Sequence, residues 1–166
     1  MREKYKKFFL AGFIEGEGSL CISLKKNASS KFGINVDPEF FIYQRKSGRA
    51  LLEMAQQIFH TGTIYEKDGN RNVLVFAIRN RRSIKEKVIP FFEKYVMPFS
   101  QKFKNSFSII KRIIELEERG AHQTKEGMIE ILKLASSFKT LEGKRGKWDA
   151  KKLLENLLRD HTSDSE

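Results

Sequence analysis

Between Lys7 and Lys25 the hydrophobic pattern changes period within a few residues. From Lys7 to Glu15 the apolar positions suit a short helix. From Ser19 onward Leu20, Ile22 and Leu24 alternate with Ser19, Cys21, Ser23 and Lys25, the period of a strand buried on one face. Gly16 and Gly18 lie at the junction, and glycine in the left-handed conformation commonly ends a helix. The expectation is a helix that hands over to a strand at once, the strand's second face being small and polar.

The same two periods place the remaining elements. After the loop of residues 26–33, the stretch 34–43 continues the alternation, with Val36, Phe40 and Ile42 on one side and Asn35, Asp37, Glu39 and Phe41 opposite. Pro38 suggests an edge position or a bulge. Ser47 is expected to cap a helix through Phe59, carried by Leu51, Met54, Ala55 and Ile58. A second hairpin pairs residues 63–67 with 72–79 across Asp68, Gly69 and Asn70. Ser83 and Glu86 read as a capping box for the next helix, in which Pro90 predicts a kink or restart. Phe103, Phe107, Ile110 and Ile114 mark a longer helix ending near Gly120. Residues 124–138 and 148–159 read as two more helices, with Trp148, Leu153, Leu154, Leu157 and Leu158 as packing residues. The order αββαββα followed by helices defines an α+β fold. It is expected to be a single domain over 1–160, helical from about residue 101, with a disordered tail at 161–166.

Charge narrows the class of partner. The 166 residues carry a formal net charge of +11 on a chain that is 40% hydrophobic, so the excess belongs on a folded surface and nucleic acid is the leading partner. Residues 1–100 hold 18 basic and 10 acidic side chains against 14 and 11 in the rest, which places the main contact in the first hundred residues. Cys21 is the single cysteine, excluding an intrachain disulfide and a Cys-rich zinc site, and His60, His122 and His161 lack ligand spacing. No apolar run reaches the roughly 20 residues that span a bilayer, so a soluble intracellular protein without membrane or small-molecule partners is expected.

Two features of Leu10-Ala11-Gly12-Phe13-Ile14-Glu15-Gly16-Glu17-Gly18-Ser19 are costly for an ordinary helix. Gly12 and Gly16 share a face, and each costs about 1 kcal/mol relative to alanine, which close approach of a second helix would offset. Glu15 and Glu17 stand at the helix C-terminus, where the macrodipole is already negative. A hard cation such as Mg²⁺, taking carboxylate and free backbone carbonyl oxygens, would relieve that repulsion. An amphipathic helix with two solvated glutamates is the plain alternative.

These ten residues resemble the LAGLIDADG motif of homing endonucleases. The resemblance extends through the αββαββα order, and residues 88–95 and 120–127 look like recurrent family segments. It implies a sheet forming a DNA-binding saddle, and a dimer interface through the motif helix at Phe9, Gly12, Phe13, Glu15 and Gly16. Glu17 would be the acidic metal ligand, assisted by the Gly16 carbonyl, where many members carry Asp. With one copy of the motif, two chains are needed for two sites, so a homodimer is expected. The implied activity is Mg²⁺-dependent cleavage of both strands of a long pseudo-palindromic site, leaving short 3′ overhangs and serving intron mobility. Mn²⁺ is expected to substitute and Ca²⁺ to bind without supporting cleavage. Gln44 matches a position that orients active-site water, and Lys102 a lysine near the scissile phosphate, with Lys104 its competitor. A strand-end hydrogen bonder and a solvated lysine are the plain readings of these two. An RNA maturase or a non-cleaving binding module on the same scaffold is the alternative function.

Base recognition is expected from the polar faces of the two hairpins, since a two-stranded ribbon fits the major groove. An eight-residue strand spans roughly 26 Å, about eight base pairs. By parity the first hairpin offers Ser23, Lys25, Asn27, Asn35, Asp37, Glu39 and Phe41; the second offers Tyr65, Lys67, Arg71 and Arg79. Lys144, Arg145 and Lys147 read either as phosphate contacts or as a solvated basic loop.

Overall fold

The computed structural model describes residues 2–142 and 150–159, so Lys144, Arg145, Lys147, Trp148 and the segment from 160 onward lie outside the described residues. Helix α1 spans Glu3–Glu17, strand β1 Gly18–Lys26, strand β2 Ile34–Arg45, helix α2 Arg49–Phe59, strand β3 Thr63–Lys67 and strand β4 Asn70–Ile78. A helical segment of residues 81–96 follows, then helices Lys104–Glu118, Lys125–Glu142 and Ala150–Arg159. The four strands form one sheet in the order β1-β2-β4-β3, and β4 pairs antiparallel with both β2 and β3.

The helix-to-strand handover is as abrupt as the periods require, but its mechanism differs from the one expected. α1 continues through Gly16 to Glu17, and Gly18 sits in extended backbone at φ −81° rather than in the left-handed region. What Gly18 supplies is space: a Cβ there would lie 2.5 Å from the Ile14 carbonyl oxygen and 2.8 Å from the Ile14 side chain. Side chains along β1 then alternate as expected, with Leu20, Ile22 and Leu24 buried. Pro38 lies in a strand flanked on both sides, two residues before the β2/β4 register opens at Phe40 and Ile78.

Two expected caps are replaced. Lys46–Gly48 form a 3₁₀ turn ahead of α2, so Gly48 rather than Ser47 precedes that helix, and no side chain caps it. The buried stripe of α2 is Leu52, Ala55 and Phe59, with Leu51, Met54 and Ile58 half-buried beside it. Ser83 is not a cap: its amide donates to the Asn80 side-chain oxygen at 3.0 Å, and Glu86 pairs with Arg82 at 2.8 Å. Around Pro90, which opens a short α turn, the segment 81–96 widens into two π-type turns, the irregularity its missing N–H predicts.

By internal contacts the chain divides into two compact units, Met1–Cys21 with Pro38–Lys104, and Ile22–Asp37 with Asn105–Glu166. In the first, α1 packs against α2 and residues 92–96, and the even positions of β2 and β4 carry an aromatic hub. Phe40, fully buried, meets the rings of Phe59, Phe76 and Phe92 at centroid distances of 5.7, 6.5 and 5.4 Å. Each such pair adds about 0.5–1.5 kcal/mol beyond burial, which ties α2 and segment 81–96 to one face of the sheet. In the second unit, Phe107, Ile110, Ile113, Ile131, Leu132, Ala135 and Phe138 are buried, and Arg112 pairs with Glu130 at 2.9 Å.

Candidate active site and nucleic-acid interface

A helix leaves its last carbonyls without intrahelical partners, and at α1 three carbonyls around Glu17 converge on one ammonium. Lys102 Nζ donates to the carbonyl oxygens of Glu15 at 2.8 Å, Gly16 at 3.3 Å and Gly18 at 3.0 Å. The sequence argues for a cation at the negative end of this helix, and the chain itself supplies one from 85 positions downstream. Serine fixes the turn that delivers it: Ser100, buried, accepts the Phe103 amide on its Oγ at 3.0 Å. Lys104 instead begins the next helix and is exposed, so of the two candidate lysines Lys102 is the one at the motif.

Glu17 closes α1 with its side chain exposed, and Gly16 is exposed beside it. A carboxylate and backbone carbonyls are hard oxygen donors, the set that Mg²⁺ takes while keeping several waters. Among the described residues no three His, Cys, Asp or Glu side chains gather, so each chain offers one carboxylate here rather than a full cage. That donor set suits a hydrated Mg²⁺, for which Glu17 and the Gly16 carbonyl would be the donors this chain offers. Gln44 is half-buried; its Oε1 accepts the Arg45 amide at 2.7 Å, and it packs so closely over Gly48 that a Cβ there would meet it at 2.5 Å. No described hydrogen bond joins Gln44 to Glu17 or Lys102.

Along α1, Tyr5, Phe9, Gly12, Phe13 and Gly16 fall on one stripe. Tyr5 is 57% exposed and Phe9 53%, and a Cβ at Gly12 or Gly16 would meet nothing within 4 Å. The glycines thus carry a helix cost that packing within one chain does not explain. Beside the stripe a groove of Phe8, Ala11, Gly12, Glu15, Tyr95, Val96, Phe99 and Ser100 opens, with Glu15 Oε2 shielded from solvent and lacking a hydrogen-bond partner.

Within each unit the residues of β1 and β2 expected to read bases alternate with buried neighbours, but several are already engaged. In the second unit Lys25 pairs with Asp37 at 3.3 Å, and Asn27 donates to Asn35 at 3.2 Å while accepting the Ser29 amide at 3.0 Å. Asn27 therefore holds its own loop in shape. Ser23 is half-buried on that face. In the first unit Glu39 and Phe41, expected to meet DNA directly, are 7% and 8% exposed. They lie on the face that parity gave them and form its floor. Phe41 clusters there with Val75 and Ala77, and Cys21, Tyr43 and Tyr65 pack around them. Arg79 and Lys67 cover the rings, Lys67 Nζ at 5.5 Å from the Tyr43 centroid, and Arg71 is exposed near the hairpin turn. Burial, then the neighbouring Cys21 and Tyr65, pushes the Tyr43 phenol above its ordinary range, keeping it a neutral donor. Tyr43 was legible too, because the parity of Asn35, Asp37, Glu39 and Phe41 runs on to it.

Comparison with known proteins places the sequence and fold among characterised relatives. The family model described as LAGLIDADG endonuclease matches residues 10–114. The DNA endonuclease I-CeuI of Chlamydomonas moewusii is 45% identical over 139 residues, covering 82% of this chain and 64% of that protein. A probable intron-encoded endonuclease 2 of Neurospora crassa is 33% identical over 78% of this chain, which spans 28% of its length. The chain thus covers less than two thirds of either relative. Among solved structures, I-CeuI complexed with DNA superposes with a TM-score of 0.85 at 38% identity, covering 95% of this chain and 78% of that one. The archaeal intron-encoded homing endonuclease I-Vdi141I complexed with DNA gives 0.82 at 31% identity, covering 95% and 98%.

Proposed function

Because the chain belongs to the LAGLIDADG endonuclease family, we propose that it is a homodimeric, site-specific DNA endonuclease that cuts both strands of a long pseudo-palindromic duplex. The observation that carries this reading is the end of α1: an exposed Glu17 carboxylate flanked by carbonyls that already hold the Lys102 ammonium.

Glu17 and the Gly16 carbonyl would hold Mg²⁺, with Mn²⁺ able to replace it and Ca²⁺ binding without cleavage. When bound, the metal supplies Lewis-acid stabilisation of phosphate charge and a more acidic water. Lys102, whose three N–H donors go to the Glu15, Gly16 and Gly18 carbonyls, keeps the helix end neutralised and would act on a nearby phosphate through its charge. Gln44 commits its Oε1 to Arg45, so its amide NH₂ is the end left to orient a water. The stripe of Tyr5, Phe9, Gly12, Phe13 and Gly16 seats the same stripe of a second copy, the glycines allowing the two helices to approach and bringing two Glu17 side chains together. Each copy reads a half-site through its sheet. A central staggered cut leaving short 3′ overhangs, in the service of intron mobility, completes the proposal.

Its test is incubation with a randomised duplex library and Mg²⁺, followed by recovery and sequencing of cut ends. The expected result is a long, two-fold-related consensus with 3′ overhangs that disappears when the metal is chelated. Ends of random sequence, or cutting that persists in chelator, would oppose it.

A further inference from the structure

β4 ends at Ile78, which faces Phe40 on β2, so Arg79 stands one step further along and across from Glu39. Two positions back on the same face, Ala77 pairs with Phe41 on one side and Thr63 on the other, and Tyr65 pairs with Val75. The small Ala77 leaves a trough between two rings, and the Arg79 side chain lies in it. Its guanidinium carbon is 5.3 Å from the Phe41 centroid and 5.1 Å from that of Tyr65. Nη2 donates to the Tyr65 hydroxyl at 2.5 Å, and Nε stands 3.9 Å from a Glu39 carboxylate oxygen that is nearly buried.

Three side chains, Phe41, Tyr65 and Glu39, thus fix one guanidinium whose side chain is still 48% exposed. Nη1 and the second Nη2 hydrogen are unspent in these contacts, and together they form the outer edge of the planar fork. A fork offering two parallel donors matches the O6 and N7 acceptors of guanine in the major groove, whereas adenine presents a donor at the equivalent of O6. Arginines free in solution lose rotamer freedom on binding; this one has already been ordered by rings, hydroxyl and carboxylate. We propose that Arg79 reads a guanine in each half-site, and that Tyr65, Phe41 and Glu39 are positioning residues that aim it. The assignment rests on the DNA-cleaving reading above.

The library selection tests it residue by residue. The wild-type protein should show one strongly preferred G·C pair per half-site, at positions related by the two-fold. Arg79→Gln should reduce that preference by about ten- to a hundredfold while leaving the preferences at other positions in place. Tyr65→Phe, which keeps the ring and removes the hydroxyl, should relax the same pair partially and no other. Arg79→Lys should relax it as well, because an ammonium is not a planar fork. If Arg79→Gln weakens all sequences equally and lowers the salt dependence of binding, the residue contacts phosphate and the proposal fails. An unchanged base profile also overturns it. A wild-type protein that selects no duplex overturns the nuclease reading and this one with it, a result distinct from either.

Discussion

At residue scale, Lys102 closes over the end of α1 beside Glu17. Glu17 was read from the resembling motif and Lys102 from a match to a family lysine outside it, and helix physics independently asked for a cation at the end of α1. What the sequence could not show is that Lys102 reaches that end, because the contacts span 84 to 87 positions and depend on the turn held by Ser100. Charged hydrogen bonds to exposed carbonyls are worth little individually, but three shared by one ammonium at a negative helix end should amount to about 1 kcal/mol. Lys102→Met is therefore expected to lower the unfolding free energy by about that amount in urea titrations without metal, and to slow cleavage. Unchanged stability would mean that solvent already satisfies those carbonyls. The same distance problem hid the floor beneath Arg79. Parity identified the face of Glu39 and Phe41, but only the register of β2 on β4 shows that Arg79 lies over them.

At element scale the periods of 3.6 and 2 located all four strands and α1, α2 and Lys104–Glu118, because those periods record which face is buried. Caps were read less well. Ser47 and Ser83 are chemically able to cap, yet the chain uses a 3₁₀ turn at one site and Asn80 at the other, a choice set by how the preceding strand ends. The three glycines of the motif separate by mechanism. Gly18→Ala would drive a Cβ to 2.5 Å from the Ile14 carbonyl, and an overpacking loss of about 1–3 kcal/mol is expected in thermal or urea unfolding. Gly12→Ala has open space within the chain and should favour α1 itself by about 1 kcal/mol. In the proposed dimer, however, it separates the paired helices, so sedimentation should show self-association weakened by tenfold or more. Equal stability losses at positions 12 and 18 would argue that Gly12 serves packing within one chain.

At the scale of the whole molecule, the αββαββα order and the antiparallel sheet were legible from the two hydrophobic periods, and solved relatives share the fold. Among the described residues no helix is long and apolar enough to cross a membrane. Sedimentation equilibrium is expected to give a mass near twice 19.3 kDa, and a fully active monomer would remove the shared-site arrangement. The central claim is that Glu17, at the end of α1, holds the metal that cuts DNA. Its most direct test uses one duplex from the library, measuring binding and Mg²⁺-dependent cleavage by the wild-type protein and Glu17→Gln side by side. The variant is expected to bind the duplex with similar affinity and to leave both strands intact. Cleavage at the wild-type rate by Glu17→Gln would contradict the claim.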